Sequence, residues 1–191
     1  MLRSLLLIVY NLVRISLNKL RFGKRFAVHW MQRFSPSCDL KLFDHAQLFI
    51  GRNTEFAAGC DFEVHGDGVL HIGENTYFNR YCMISAHQEV RVGSHCMFGP
   101  GVRIFDNNHC FSCDRGVSSR LKTDRITIGD HCWIAANVII LKGTHIGDCC
   151  VIGAGCIVSG DIPSGTLVRC RHELTYTTID NRDKEAFVTG D

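Results

Sequence analysis

The chain has 191 residues, enough for one domain with a real core. Its formal net charge of +2 argues against a dedicated nucleic-acid binder, and no nucleic-acid partner is expected. Eleven cysteines are an odd count, and a chain this long needs no covalent staples, so a reduced cytosolic protein is expected rather than a disulfide framework.

No acidic residue precedes Asp39, whereas Arg3, Arg14, Lys19, Arg21, Lys24, Arg25 and Arg33 do. The rest of the chain is net acidic. The opening stretch "MLRSLLLIVYNLVRISLNKLRFGKR" is interrupted by Asn11 and Arg14. That leaves it short of the about 20 apolar residues of a membrane span. A basic cluster follows the apolar run, where a signal peptide would carry a small-residue cleavage site. The spacing predicts an amphipathic helix within an N-terminal segment 1–37. Leu2, Leu5, Leu6, Val9, Leu12, Val13 and Leu17 share one face, and Arg3, Arg14, Asn18, Arg21 and Arg25 the other. Two uses fit this pattern: packing on the protein's own body, or lying on an anionic membrane surface through residues 1–33.

From Ile50 a period of six takes over. The hexads read "IGRNTE", "FAAGCD", then from Ile72 "IGENTY", "FNRYCM", from Val92 "VGSHCM", "FGPGVR", and from Ile128 "IGDHCW", "IAANVI", "ILKGTH", "IGDCCV", "IGAGCI", "VSGDIP". The first position is Ile, Val or Phe, the second mostly Gly or small, and the fifth mostly small. Period six matches neither a helix nor a simple alternating strand. It predicts a triangular solenoid of stacked parallel strands, with the large aliphatic pointing inward on each flat face. The small second residue is expected to permit the tight corner. Cys60, Cys82, Cys96, Cys132, Cys150 and Cys156 all occupy the inward fifth slot, where a free thiol acts as a small apolar group.

The coil starts fall at 50, 72, 92, 128 and 146. The step from 92 to 128 is 36, twice the final step of 18. A normal coil in that gap would put Cys110, Gly116 and Lys122 in the large inward slots, and Asp114 and Arg120 in the small ones. Unpaired charges buried there would cost several kcal/mol each, roughly. Residues 105–125 are therefore expected to leave the solenoid as an extended loop. The loop opens with "IFDNNHCFSC", which presents His109.

With the hexads, this loop and "ITIGDHCWIAANVIILKGTHIGDCCVIGAGCIVSGDIPSG", the chain resembles the hexapeptide-repeat acetyltransferases. Within these it is similar to the galactoside/maltose O-acetyltransferases and the sugar O-acetyltransferases of lipopolysaccharide and capsule biosynthesis. The resemblance covers about residues 48–165. It implies an all-β left-handed parallel β-helix over residues 38–168, with 169–191 as a C-terminal tail. It also implies a homotrimer, active sites between neighbouring subunits, acetyl-CoA as co-substrate and a sugar or glycan precursor as acceptor. By position His109 matches the family's general base. Asp106 is a candidate to hold its imidazole tautomer, and a backbone carbonyl fits that role equally. Asn79 falls where the family places an asparagine facing thioester and acceptor, and Tyr77 lies nearby as an acceptor-pocket residue. Trp133 matches a tryptophan beside the pantetheine arm, Ala136 and Ala154 match its backbone contacts, and Ser159 and Gly160 match a Thr-Lys pair at the nucleotide end. The lysine is absent here, and Arg169 with Arg171 is a candidate replacement for its charge.

Other readings compete. An amino-sugar N-acetyltransferase would use the same base and donor. The γ-type carbonic anhydrases share the solenoid, but their third-position zinc histidine is missing, and no metal is expected. "CFSC", Cys110 to Cys113, is a lone C-x-x-C with only His109 beside it, weak as a zinc site. A non-catalytic solenoid scaffold is a third class.

Overall fold

In the computed structural model residues 2–171 are described, with side chains from Leu5 onward. One helix, α1, runs Leu2–Phe22. It gives way to a single 3-10 turn at Gly23–Arg25, where Gly23 takes a left-handed φ of +59°. Every described residue after it is in a strand, a corner or the hairpin that leaves the prism. Three parallel sheets of seven, seven and six strands form the three faces of a prism. The first face holds, among others, Phe26–Val28, Val69–Ile72, Glu89–Val92 and Ile126–Ile128. The second holds Tyr77–Phe78, Met97–Phe98 and Trp133–Ile134, and the third Met83–Ala86, Arg103–Phe105 and Ile139–Leu141. This is the parallel solenoid expected from the hexads, consistent with the left-handed β-helix that the resemblance implies. The first coil begins at Phe26, which pairs with Leu48, so the solenoid starts inside the segment 1–37 assigned to helix. The tail expected over 169–191 lies outside the described residues from 172 onward.

The core is a continuous column of inward side chains. Phe34 stacks on Phe56 at 4.2 Å between ring centroids, Phe78 stacks on Phe98 at 4.1 Å, and Phe56 meets Phe78 edge-on at 5.4 Å. Each such ring, fully buried, stabilises the fold by about 1.5–3 kcal/mol relative to exposure. All six fifth-slot cysteines are buried and free, and Cys38 joins them. Burial pushes the Cys38 thiol up to about 12, which keeps it protonated and unreactive.

The corners correct one expectation. The small second residue does not turn the chain. The left-handed residue that does so is the fourth of the hexad: Asn53, Asn75, His95, His131 and Cys149 all have φ between 54° and 59°. The second position must be small because the next coil is too close. A Cβ on Gly73 would stand 2.5 Å from the Gly93 carbonyl carbon and 2.6 Å from the Ser94 amide nitrogen.

The helix rests on the solenoid by a face other than its leucine stripe. Its apolar face does not pack on the solenoid: Leu5, Leu6, Val9, Val13 and Leu17 are all more than half exposed. The inward face carries Ile15 together with polar groups. Fully buried Asn11 donates from Nδ2 to the Phe34 carbonyl at 3.0 Å, and Arg14 donates from Nη2 to the Cys38 carbonyl at 2.6 Å.

Candidate active site

The excursion is a β-hairpin. Asn107–Ser112 pairs antiparallel with Gly116–Thr123, with a register shift between His109 and Phe111. It leaves at the edge between the third and first faces, after Arg103–Phe105, and returns into Ile126–Ile128. Asp114 and Arg120 stand in solvent, as the burial argument requires.

The root of the hairpin is held by Asp106. Its carboxylate is fully buried and accepts the backbone N–H groups of His87 at 2.9 Å, Gln88 at 2.7 Å and Glu89 at 2.9 Å. Asn107 Nδ2 donates to the same carboxylate at 3.2 Å and to the Ser85 carbonyl at 3.1 Å. Asp106 is therefore not the partner of His109; it is committed to the preceding coil. The His109 imidazole is instead 3.0 Å from the Ser118 carbonyl through Nδ1. A carbonyl can only accept, so Nδ1 carries the hydrogen, and in the neutral ring the lone pair is on Nε2. His109 is exposed, and its Nε2 has no partner among the described residues.

Tyr77, Met97, Trp133, Val151 and Leu167 occupy one outward column of the second face by strand register. Met97, Trp133 and Leu167 are each at least half exposed and form an apolar strip along the second face. Burial, then the charge of Glu55, raises the Tyr77 phenol above its ordinary value, so it stays a neutral hydroxyl. Asn79 lies at the corner between the second and third faces, which Tyr81 turns with a φ of 61°. Its Oδ1 accepts the Arg80 N–H at 2.8 Å, and its Nδ2 has no partner among the described residues. Ala136 and Ala154 lie on that same edge, one coil apart, tied by the Gly155 N–H donating to the Ala136 carbonyl at 2.9 Å.

Ser159 and Gly160 lie on the opposite edge, between the third and first faces, as the hairpin does; Gly160 has a φ of +79° there. Arg169 is exposed near the end of the described chain. The predicted residues thus fall on two edges of the prism, with the third face between them. His109, Ser159 and Gly160 share one edge. Asn79, Ala136 and Ala154 share the other, with Trp133 beside it on the second face. Within one chain His109 and Asn79 are not brought to one edge.

Residues 125–160 match the family model "Bacterial transferase hexapeptide (six repeats)". The chain carries hexapeptide repeats. It is 35% identical over 102 residues to a galactoside O-acetyltransferase of Lactococcus lactis, covering 53% of this chain and 49% of that one. The hexapeptide-repeat chain thus spans about half the length of that curated relative. Among solved structures it is similar to an N-acyltransferase from Bacillus cereus in complex with dTDP and 3-hydroxybutyryl-CoA, at TM-score 0.66 and 15% identity over 78% of this chain and 81% of that one. It is also similar to a hexapeptide-repeat acetyltransferase from Vibrio cholerae complexed with acetyl-CoA, at TM-score 0.50 and 23% identity over 63% and 64% of the two chains. At these identities the two structures establish the fold.

Two functional candidates escaped the sequence reading of this hexapeptide-repeat protein. Lys122 and Lys142 line an open cleft of about 340 Å³ with Asn108, His109, Cys110 and Phe111. Neither lysine is ion-paired among the described residues. Lys122 lies opposite Asn108 across the hairpin. Its register shows only once the hairpin is formed, and Lys142 reaches the cleft from the next coil. Cys110 lines the same cleft while Cys113 is exposed, and no group of three or more metal-ligating side chains occurs among the described residues.

Proposed function

We propose that this protein is an acetyl-CoA-dependent O-acetyltransferase that acetylates a hydroxyl of a sugar or glycan precursor, of the lipopolysaccharide or capsule type, and works as a homotrimer. The observation that carries the proposal is the hydrogen bond from His109 Nδ1 to the Ser118 carbonyl. An imidazole locked at Nδ1 by the Ser118 carbonyl and open at Nε2 is built to remove a proton. A sugar hydroxyl has a pKa far above neutrality and attacks a thioester poorly until its proton is taken as the C–O bond forms. The acceptor oxygen bonds to the acetyl carbon, its proton passes to Nε2, and the carbon–sulfur bond breaks. The CoA thiolate then takes the proton from the imidazolium, and no covalent enzyme intermediate is needed.

Asn79 Nδ2, unpartnered on the other edge, is assigned to the developing oxyanion. Trp133 is assigned to the pantetheine arm. Ala136 and Ala154 are assigned to its amides, Ser159, Gly160 and Arg169 to the nucleotide end, and Tyr77 to the acceptor. Because His109 and Asn79 lie on different edges, a complete site needs the hairpin edge of one subunit against the Asn79 edge of the next. The exposed pair Phe111 and Val117, paired across the hairpin, gives that contact an apolar tip. The protein is read as cytoplasmic, with peripheral membrane association through residues 1–33.

The test is thiol release from acetyl-CoA over a panel of sugars and amino sugars, wild type beside His109→Ala. Turnover with hydroxyl acceptors, falling by about 10²–10⁴-fold in the variant, is expected. Turnover with amines alone would move the reading to N-acetylation. Failure to bind acetyl-CoA would leave the scaffold reading.

A further inference from the structure

The helix α1 attaches to the solenoid by the wrong face for a helix buried by the hydrophobic effect. Its inward side carries Asn11, Arg14 and Ile15, and the hydrogen bonds from Asn11 to the Phe34 carbonyl and from Arg14 to the Cys38 carbonyl set its rotation about its own axis. That rotation turns Leu5, Leu6, Val9, Val13, Leu17 and Leu20 away from the protein, at 51–88% exposure. A contiguous apolar face of this size on a monomer marks a contact with another apolar medium.

The surroundings decide which medium. Trp30 and Met31, in the turn beside the helix, are 45% and 72% exposed and border a cleft with Ile8 and Leu12, so the apolar surface continues beyond the helix. The Lys19 ammonium lies 4.1 Å from the centre of the Trp30 ring. Lys19, Arg21 and Lys24 have no ion-pair partner among the described residues. No acidic residue precedes Asp39. An apolar stripe flanked by unpaired cations, with a tryptophan at its margin, fits the headgroup and acyl boundary of an anionic bilayer. Two copies of the helix docked face to face would instead set these like charges against each other. No helix among the described residues is long and apolar enough to cross a membrane, so the contact is a lying one.

We infer that α1, held in rotation by Asn11 and Arg14, is a docking surface for anionic lipid, and that the protein sits on the membrane by the N-terminal end of its prism. This deepens the peripheral-membrane part of the proposed function and does not depend on the acetyl transfer itself.

The experiment uses the full chain with vesicles of phosphatidylcholine alone and of phosphatidylcholine with phosphatidylglycerol, read by co-sedimentation. Val13→Glu/Leu17→Glu is compared with wild type, since both side chains are exposed and the fold should tolerate the change. Lys19→Glu/Lys24→Glu is the charge-reversal partner. Binding to the anionic vesicles is expected, weakening as salt is raised and falling at least tenfold in either variant. Circular dichroism, oligomeric state and thiol release with a soluble acceptor should stay unchanged. Equal binding by wild type and both variants would overturn the inference. So would the absence of vesicle binding together with a change of oligomeric state in Val13→Glu/Leu17→Glu, which would make a second copy of the chain the occupant. Loss of thiol release in wild type, with vesicle binding intact, would sink the enzymatic reading and leave this one standing.

Discussion

Replacing Asp106 by Asn separates two roles that the sequence leaves open. If the carboxylate oriented His109, the change would act on the imidazole and barely on stability. The structure gives it another task. One carboxylate oxygen accepts the Gln88 and Glu89 N–H groups, and both oxygens meet the His87 N–H, all in a fully buried site. Asn offers the same shape with one acceptor oxygen. With its amide oxygen at the Oδ2 position, the NH₂ group faces the His87 N–H and Asn107 Nδ2 donors; turned the other way, it faces the Gln88 and Glu89 N–H groups, which then lose their acceptor. Hydrogen bonds to a charged group contribute about 1.5–3 kcal/mol each, and a stranded buried donor costs about 1–3 kcal/mol. Losing one or two such bonds gives an expected destabilisation of about 3–5 kcal/mol, a large share of the about 5–15 kcal/mol typical of a folded domain. Urea unfolding followed by circular dichroism measures it. Amide hydrogen exchange at Gln88 and Glu89 should accelerate in the same variant. A loss under about 1 kcal/mol with unchanged exchange would refute the assignment of Asp106 to the root of the hairpin.

Phe78→Ala removes a fully buried ring that stacks on Phe98 and meets Phe56 and Phe62 at 5.4 and 5.1 Å. It should cost about 3–5 kcal/mol by the same unfolding measurement, and a shift near zero would mean the coils repack freely. The third prediction concerns acid. Burial, then the charge of His65, holds the His87 imidazole below its ordinary value, against the pull of Asp106 and Glu63; burial, then Arg91, does the same to His71. In the unfolded chain both would return to about 6.5. Below that pH the unfolded state binds protons that the folded state refuses, so stability should be level above about pH 7.5 and fall towards about pH 5. His87→Phe, which extends the ring stack of Phe43 and His65, should flatten the fall, and an unfolding midpoint that ignores pH in wild type would contradict the argument.

The hexad pattern by itself determined the solenoid, because an inward side chain every six residues has no other regular solution and each coil is local in sequence. The inward cysteines and the departure of the chain near Phe105 were legible for the same reason: a slot that must be apolar shows when it is filled by Asp or Arg. The start of the first coil at Phe26 was not legible, since Phe26–Val28 and Arg33–Phe34 are too short to display the period. His109 could be singled out from its place in the loop, but its partner could not. The Ser118 carbonyl is nine residues away and faces it only across the hairpin. Asp106, three residues from His109, was drawn instead to three successive amides of the previous coil, a contact between residues 17 to 19 apart that only stacking creates. The helix makes the same point most sharply. Its amphipathic pattern was written in the sequence, and which side faced the protein was decided by two backbone carbonyls at the end of the prism, because an unmet buried acceptor outweighs the pull of a leucine stripe that can find an apolar partner elsewhere.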